Sequence, residues 1–161
     1  MPTHRKRTFS PDAKTTLKPL PATVVRQVAR AVETLPLHRF LGVKLIRSKP
    51  GSGEIRLKAG KSAVNIAGVL HGGVLYALLD AAAYSSVVPL LNEGENAVTH
   101  DIHVSVLRPV MLGETIVLKG RVLKRGRTTI FAESEAVVGG KLVATSCVTK
   151  SVIRQELKPA R

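Results

Sequence analysis

Asp80 is the single carboxylate in a long apolar run, and two glycines, Gly72 and Gly73, stand just ahead of it behind His71. Burying an unpaired carboxylate is costly, so an acid in this setting is hydrogen-bonded, paired across an interface, or catalytic. Asp is also a poor residue for a helix interior, and little near it in the chain could neutralise it. The glycines indicate which use applies. Without side chains they let a ligand reach the backbone, and at a helix start their N–H groups point outward at the positive end of the dipole. Together these residues outline an oxyanion hole and an acid able to activate water or attack a carbonyl directly.

Periodicity shows which elements must hold these groups. Residues 1–20 carry Pro2, Pro11 and Pro19 among basic and hydroxyl residues without an apolar period, and are expected to form a flexible basic arm. Over 21–36, Val24, Val25, Val28, Ala29, Val32 and Leu35 recur at helical spacing opposite Arg26, Gln27, Arg30 and Glu33. This predicts an amphipathic helix ending near Pro36. Residues 41–49 and 54–59 alternate around Pro50-Gly51-Ser52-Gly53, predicting two neighbouring strands followed by a loop over 60–68. Residues 70–91 carry Leu, Val and Ala on every side, the mark of a helix wrapped by other structure. Four strand-like runs follow at 97–107, 114–124, 128–138 and 142–153, separated by Arg108-Pro109, Lys124-Arg125-Gly126-Arg127 and Gly139-Gly140. The inventory predicts an α+β domain over 37–156, a mostly antiparallel sheet curled around one helix, with a short tail at 157–161.

The chain has 161 residues, enough for one domain that buries roughly 70% of its unfolded surface. Its hydrophobic content is 44% with no Trp, which predicts a core of Val, Leu, Ile and Ala. Cys147 is the only cysteine, so no internal disulfide forms; its expected place is a small core position in a late strand. The net charge of +14 is spread along the chain, seven basic residues against two acidic within 1–35 and eighteen against nine beyond. No block of like charges appears and aromatic stackers are scarce, so nucleic acid is not the expected partner. The N-terminus lacks a signal-like apolar run, and a cytoplasmic location is expected. The uncharged stretch 62–79 reaches the length of a membrane span, but Asn65, His71 and three glycines lower its hydropathy. A buried helix is expected there, with no span. Strand alternation puts Thr99, Asp101 and His103 on one face and His100 on the other, which leaves too few ligands for a metal site.

The element order resembles the hotdog fold, and the local sequence resembles the PaaI-like branch of hotdog-fold acyl-CoA thioesterases over about residues 38–153. In that family a His-Gly-Gly opens the central helix, an acid follows the His by nine positions, and an Asn precedes it by six. Asn65, His71-Gly72-Gly73 and Asp80 match this pattern. The resemblance implies hydrolysis of a CoA thioester to a free acid and CoA with no cofactor, coenzyme A being part of the substrate. It implies Asp80 as general base or nucleophile, the Gly72 N–H as oxyanion hole, Asn65 orienting thioester or water, His71 bracing the loop near the carbonyl, and Thr99 assisting the carboxylate. Gly73 is expected beside the substrate. The basic turn Lys124, Arg125, Gly126, Arg127, Thr128 offers N–H groups and cations to the phosphates of coenzyme A, as similar turns in the family do.

Nine residues at about 1.5 Å rise place Asp80 roughly 13 Å from Gly72 on the same helix, and roughly 900° of rotation is expected to turn it to the opposite side. One chain does not bring both ends to a single carbonyl, so a working site takes Gly72 from one subunit and Asp80 from another, in a dimer or tetramer. Tyr76, Leu79, Ala83 and Tyr84 are the expected lining of an acyl pocket between subunits. Two other readings compete. One is a non-catalytic acyl-CoA-binding hotdog protein, a regulator using the basic arm on DNA; the intact acid argues against it, and 1–35 supplies only one helix where a helix-turn-helix needs more. The other is a hotdog dehydratase or hydratase, whose motif settings are not found in the chain.

Overall fold

The apolar run after His71 forms helix α3, Gly72–Val87, extended by a 3-10 turn at Val88–Leu90. These coordinates come from a computed structural model and describe residues 18–155. Residues on all sides of α3 are buried, among them Leu75, Leu78, Leu79, Ala81, Ala82 and Ala83. By length and composition Gly72–Leu90 could cross a membrane; here the sheet covers it. The buried hydroxyls of Ser85 and Ser86 donate to the helix's own carbonyls at Ala82 and Ala83, so neither polar group is left unpaired.

Two shorter helices precede it: α1, Ala22–Thr34, and α2, Pro36–Leu41. The predicted break at Pro36 is present, but a strand does not follow directly. Pro36 starts a new helix, because a proline at the first helical position gives up only an N–H that has no intrahelical partner. Gly42 ends α2 with a φ of 73°, in the left-handed region that favours glycine. Residues 18–20, the end of the expected arm, pair with the segment after α3: Pro19 bridges Asn92, and the Leu20 N–H donates to the Leu91 carbonyl at 3.2 Å. The rest of the expected arm and the 157–161 tail lie outside the described residues.

The strands are β1 Lys44–Lys49, β2 Ser52–Lys58, β3 Glu95–Val106, β4 Thr115–Arg125, β5 Thr129–Val138 and β6 Lys141–Arg154. They form one antiparallel sheet in the order β1-β2-β4-β5-β6-β3, with α3 against β2, β4 and β5. The close approach depends on a cross-strand glycine pair, Gly53 and Gly120. A Cβ on Gly120 would lie 2.1 Å from the Ala82 carbonyl oxygen, and one on Gly53 would lie 1.9 Å from Ser85 Oγ. Backbone cannot yield as a flexible side chain does. Gly120→Ala is therefore expected to cost about 3 kcal/mol in chemical denaturation, whereas Gly60→Ala, with open space at its Cβ, should change stability by less than about 0.5 kcal/mol. Equal effects at the two sites would contradict this account of the packing.

Two expectations are corrected here. In β3 the pairing to β6 shifts register between Thr99 and Asp101, so His100 is an extra residue. This bulge resets the alternation: Ala97 and Thr99 face α3, then Ile102 and Val104 do, while Asp101 and His103 join His100 on the outer face. Thr99, Asp101 and His103 thus do not share a face. Cys147 does lie in a late strand but is exposed, because Ser146 and Val148 take the inward positions on either side of it.

Candidate active site

His71 caps α3. Its extended backbone lets the carbonyl receive N–H groups from Val74 and Leu75, and its ring Nδ1 accepts the Gly73 N–H at 3.1 Å. The Gly73 N–H is consumed by this cap, so the substrate contact expected there cannot use it. The Gly72 N–H has no hydrogen-bond partner among the described residues, and both glycines are exposed. A donor at the positive end of a helix, with no side chain over it, suits a carbonyl oxygen gaining negative charge.

The preceding loop folds back on this turn. Val64 bridges Leu70, and the His71 N–H donates to the Ala63 carbonyl at 2.8 Å, bringing the Asn65 loop alongside the start of α3. The Asn65 side-chain oxygen accepts from the N–H groups of Ala67 and Val69 at 3.0 and 3.2 Å, which holds the loop closed. Its amide N–H donors carry no hydrogen bond among the described residues and lie on an exposed residue, so they are able to meet a ligand.

Asp80 emerges from α3 toward the inner face of β3 and β6. Its Oδ1 accepts the Thr99 hydroxyl at 2.6 Å and the Lys150 ammonium at 2.7 Å, while its side chain keeps 35% exposure. Lys150 also donates to Thr99 Oγ1, and its Nζ sits 5.3 Å from the centre of the Tyr84 ring. Lys150 is 1% exposed. Burial pushes its pKa below the usual lysine value, and the neighbouring Asp80 carboxylate opposes that shift. Burial, and then the charge on Asp80, push the Tyr84 phenol up. Tyr84 thus stays neutral and donates to Asn96 Oδ1 at 3.1 Å. Of the residues expected from sequence, Thr99 meets Asp80 as the resemblance implied. Lys150 was missed, although a signal existed: it lies in phase with Ala144, Ser146 and Val148 on the core side of β6 and so needed an acid partner.

Counted from Gly72, where α3 begins, Asp80 is eight residues on, about 12 Å of axis and about 80° of rotation. Axial distance, and not opposite facing, separates donor from acid. The expected pocket lining also changes. Leu79 and Ala83 have no exposure and belong to the core, Tyr84 is turned into the Lys150 and Asn96 contacts, and Tyr76 is exposed.

At the basic turn, Arg125 is not directed outward. Its guanidinium pairs with the buried Glu95 carboxylate at 2.6 Å and donates to the carbonyls of Gly126 and Arg127, which stiffens the turn. The Gly126 N–H is taken by the Thr129 carbonyl. Lys124, Arg127 and Thr128 present exposed side chains. Among the described residues, no group of three or more His, Cys, Asp or Glu is arranged to hold a metal ion.

Comparison with known proteins agrees with this geometry. Residues 67–145 match the Thioesterase superfamily. Human acyl-coenzyme A thioesterase 13 is 30% identical over 130 residues, covering 78% of this chain and 92% of that protein. A phenylacetic acid degradation-related protein from Ralstonia eutropha JMP134 superposes with a TM-score of 0.71 at 28% identity, covering 79% of this chain and 98% of that one. A thioesterase protein from Streptococcus pneumoniae TIGR4, solved with coenzyme A, gives 0.66 at 25% identity, covering 71% and 88%. With the His-Gly-Gly cap, the buried α3 and the six-stranded wrap all in place, the chain belongs to the thioesterase superfamily, as a hotdog-fold thioester hydrolase similar to the PaaI-like branch.

Proposed function

We propose that the chain hydrolyses acyl-CoA thioesters to a free carboxylic acid and coenzyme A, at a site completed by two subunits. The carrying observation is the unpaired Gly72 N–H at the start of α3, set against an acid about 12 Å further along the same helix. A carbonyl polarised by Gly72 of one subunit needs the Asp80 of another.

The paired subunits have a natural seam in β3. It is twelve residues long, ends the sheet, and leaves one edge without a strand partner among the described residues, with Val98 and Val106 exposed on its two faces. Met111 is exposed and bridges Val69, two residues before His71, so an apolar side chain also stands near the glycine turn. Pairing two β3 edges would satisfy those backbone groups and supports a twofold assembly.

In the reaction, water adds to the thioester carbon while Asp80 takes its proton; the carbonyl oxygen carries the negative charge against the Gly72 N–H. Collapse breaks the C–S bond, and the coenzyme A sulfur leaves with a proton. Asp80 Oδ1 already accepts two hydrogen bonds, so Oδ2 is the oxygen that meets the water. The relative from Streptococcus pneumoniae was solved with coenzyme A, which supports this substrate class.

Release of free thiol from a panel of short, medium, long and aromatic acyl-CoAs tests the reading, and no turnover of any member would overturn it. The turn is tested separately. Arg127→Ala is expected to raise KM for acyl-CoA roughly three- to ten-fold, one exposed phosphate contact being lost, with little change in kcat. The matching acyl-pantetheine lacks the nucleotide, so its KM should not move.

A further inference from the structure

Lys150 is a buried charge with a defined set of neighbours, and in hydrolysis as described above it meets neither the water nor the thioester. Its partners come from three elements: Asp80 and Tyr84 from α3, Thr99 from β3, and Ile130 of β5 as its cross-strand neighbour. Placing an ammonium at 1% exposure is costly and a salt bridge to a half-open carboxylate does not recover the whole cost, so fold stability alone is a weak reason for a lysine here. A methionine would fill the same space without that cost.

We propose that Lys150 is a positioning residue for the thioesterase reaction. Its ammonium and the Thr99 hydroxyl converge on Asp80 Oδ1, which fixes the rotation of the carboxylate and leaves Oδ2 as the only oxygen free to take a proton from water. Lys150 also donates to Thr99, so the three groups form a closed triangle: the lysine holds the hydroxyl, the hydroxyl holds the acid, and the lysine holds the acid again. The Tyr84 ring shields the ammonium on a further side. A carboxylate free to rotate would present either oxygen at varying angles, and small misplacements of a reacting group are costly in rate.

The inference rests on Asp80 being the base, and it has its own pH signature. Lysine holds the triangle only while protonated, and burial lowers its pKa from the ordinary 10.5. Activity should therefore fall on the alkaline side, beginning below that value. Among the described residues, Asp80 and Tyr84 are the titratable groups facing it. Tyr84 titrates above its ordinary 10.0 and so later, and the other buried acid, Glu95, is paired with Arg125.

The test compares kcat, KM and melting temperature for wild type, Lys150→Met, Lys150→Arg and Asp80→Asn from neutral pH upward, with spontaneous thioester hydrolysis subtracted. Lys150→Met is expected to melt at or above the wild-type temperature, to lose roughly ten- to hundred-fold in kcat, and to keep KM within about two-fold, because it touches Asp80 and not coenzyme A. Lys150→Arg keeps a charge that does not discharge, so its alkaline fall should move to higher pH. A Lys150→Met enzyme with wild-type kcat, or one whose defect lies in KM, overturns the inference. If neither lysine variant folds, the wild-type profile decides, since kcat that stays flat through the ordinary lysine range overturns it too. Asp80→Asn keeps the two questions apart. An inactive Asp80→Asn beside a fully active Lys150→Met removes only the role of Lys150, whereas an active Asp80→Asn removes the catalytic reading itself.

Discussion

Asp80→Asn is expected to leave fold and assembly unchanged while lowering kcat for acyl-CoA by roughly 10²–10⁴-fold. Asparagine has the size of aspartate, and its amide oxygen can still accept from Thr99 and Lys150 where Oδ1 does now. What it lacks is a basic oxygen to take a proton from water. The variant should also tolerate loss of the countercharge. Asp80 is the group that holds the Lys150 pKa up against burial, so without it the amine sheds its proton more readily and no bare charge is trapped. Steady-state kinetics beside circular dichroism and sedimentation would check this. Near-normal turnover in a folded, assembled variant would remove Asp80 from the mechanism.

The second large effect concerns a single N–H. Gly72 is the first residue of α3, where proline is tolerated, and His71 before it has φ −61° and ψ 132°, a conformation that a following proline accepts. A Cβ at Gly72 meets nothing within 4 Å. Gly72→Pro thus deletes the proposed oxyanion donor with little disturbance of the helix, and a loss of roughly 10²–10³-fold in kcat is expected. Gly72→Ala keeps the N–H and should retain far more activity; if the two variants were equally impaired, bulk at the site and not the missing donor would be the cause.

Together the two variants test whether the site is shared. Mixing Gly72→Pro and Asp80→Asn chains through unfolding and refolding gives mixed dimers that each hold one intact and one doubly defective site. With half of the dimers mixed, about a quarter of wild-type activity should return. A site built within one chain recovers nothing.

Much of this was legible before any coordinates. The wrapped helix showed in apolar residues on every face of 70–91, and the strands showed in alternation broken by glycine and proline turns. The Asn65, His71, Gly72 and Asp80 spacing carried the family. What sequence missed has local causes. The start of α2 depends on Pro36 restarting a helix, a choice that propensity leaves open. The outward turn of Asp101, His103 and Cys147 depends on strand pairing, because one extra residue at His100 inverts the faces beyond it and β6 alternates around Cys147.

The sequence by itself determined the fold class, the glycine turn that opens the central helix and the acid, since periodicity and spacing along one element survive in one dimension. Only the tertiary structure decided what surrounds them. Lys150 lies seventy residues from Asp80 and meets it because β6 pairs with β3 over α3. Arg125 was drawn inward to Glu95, thirty residues away, where its turn alone pointed it at a phosphate. Ion pairs of this kind are selected by burial, which forces a charge to find its opposite wherever the sheet brings one near, and that nearness is written in strand register and not in the local chain.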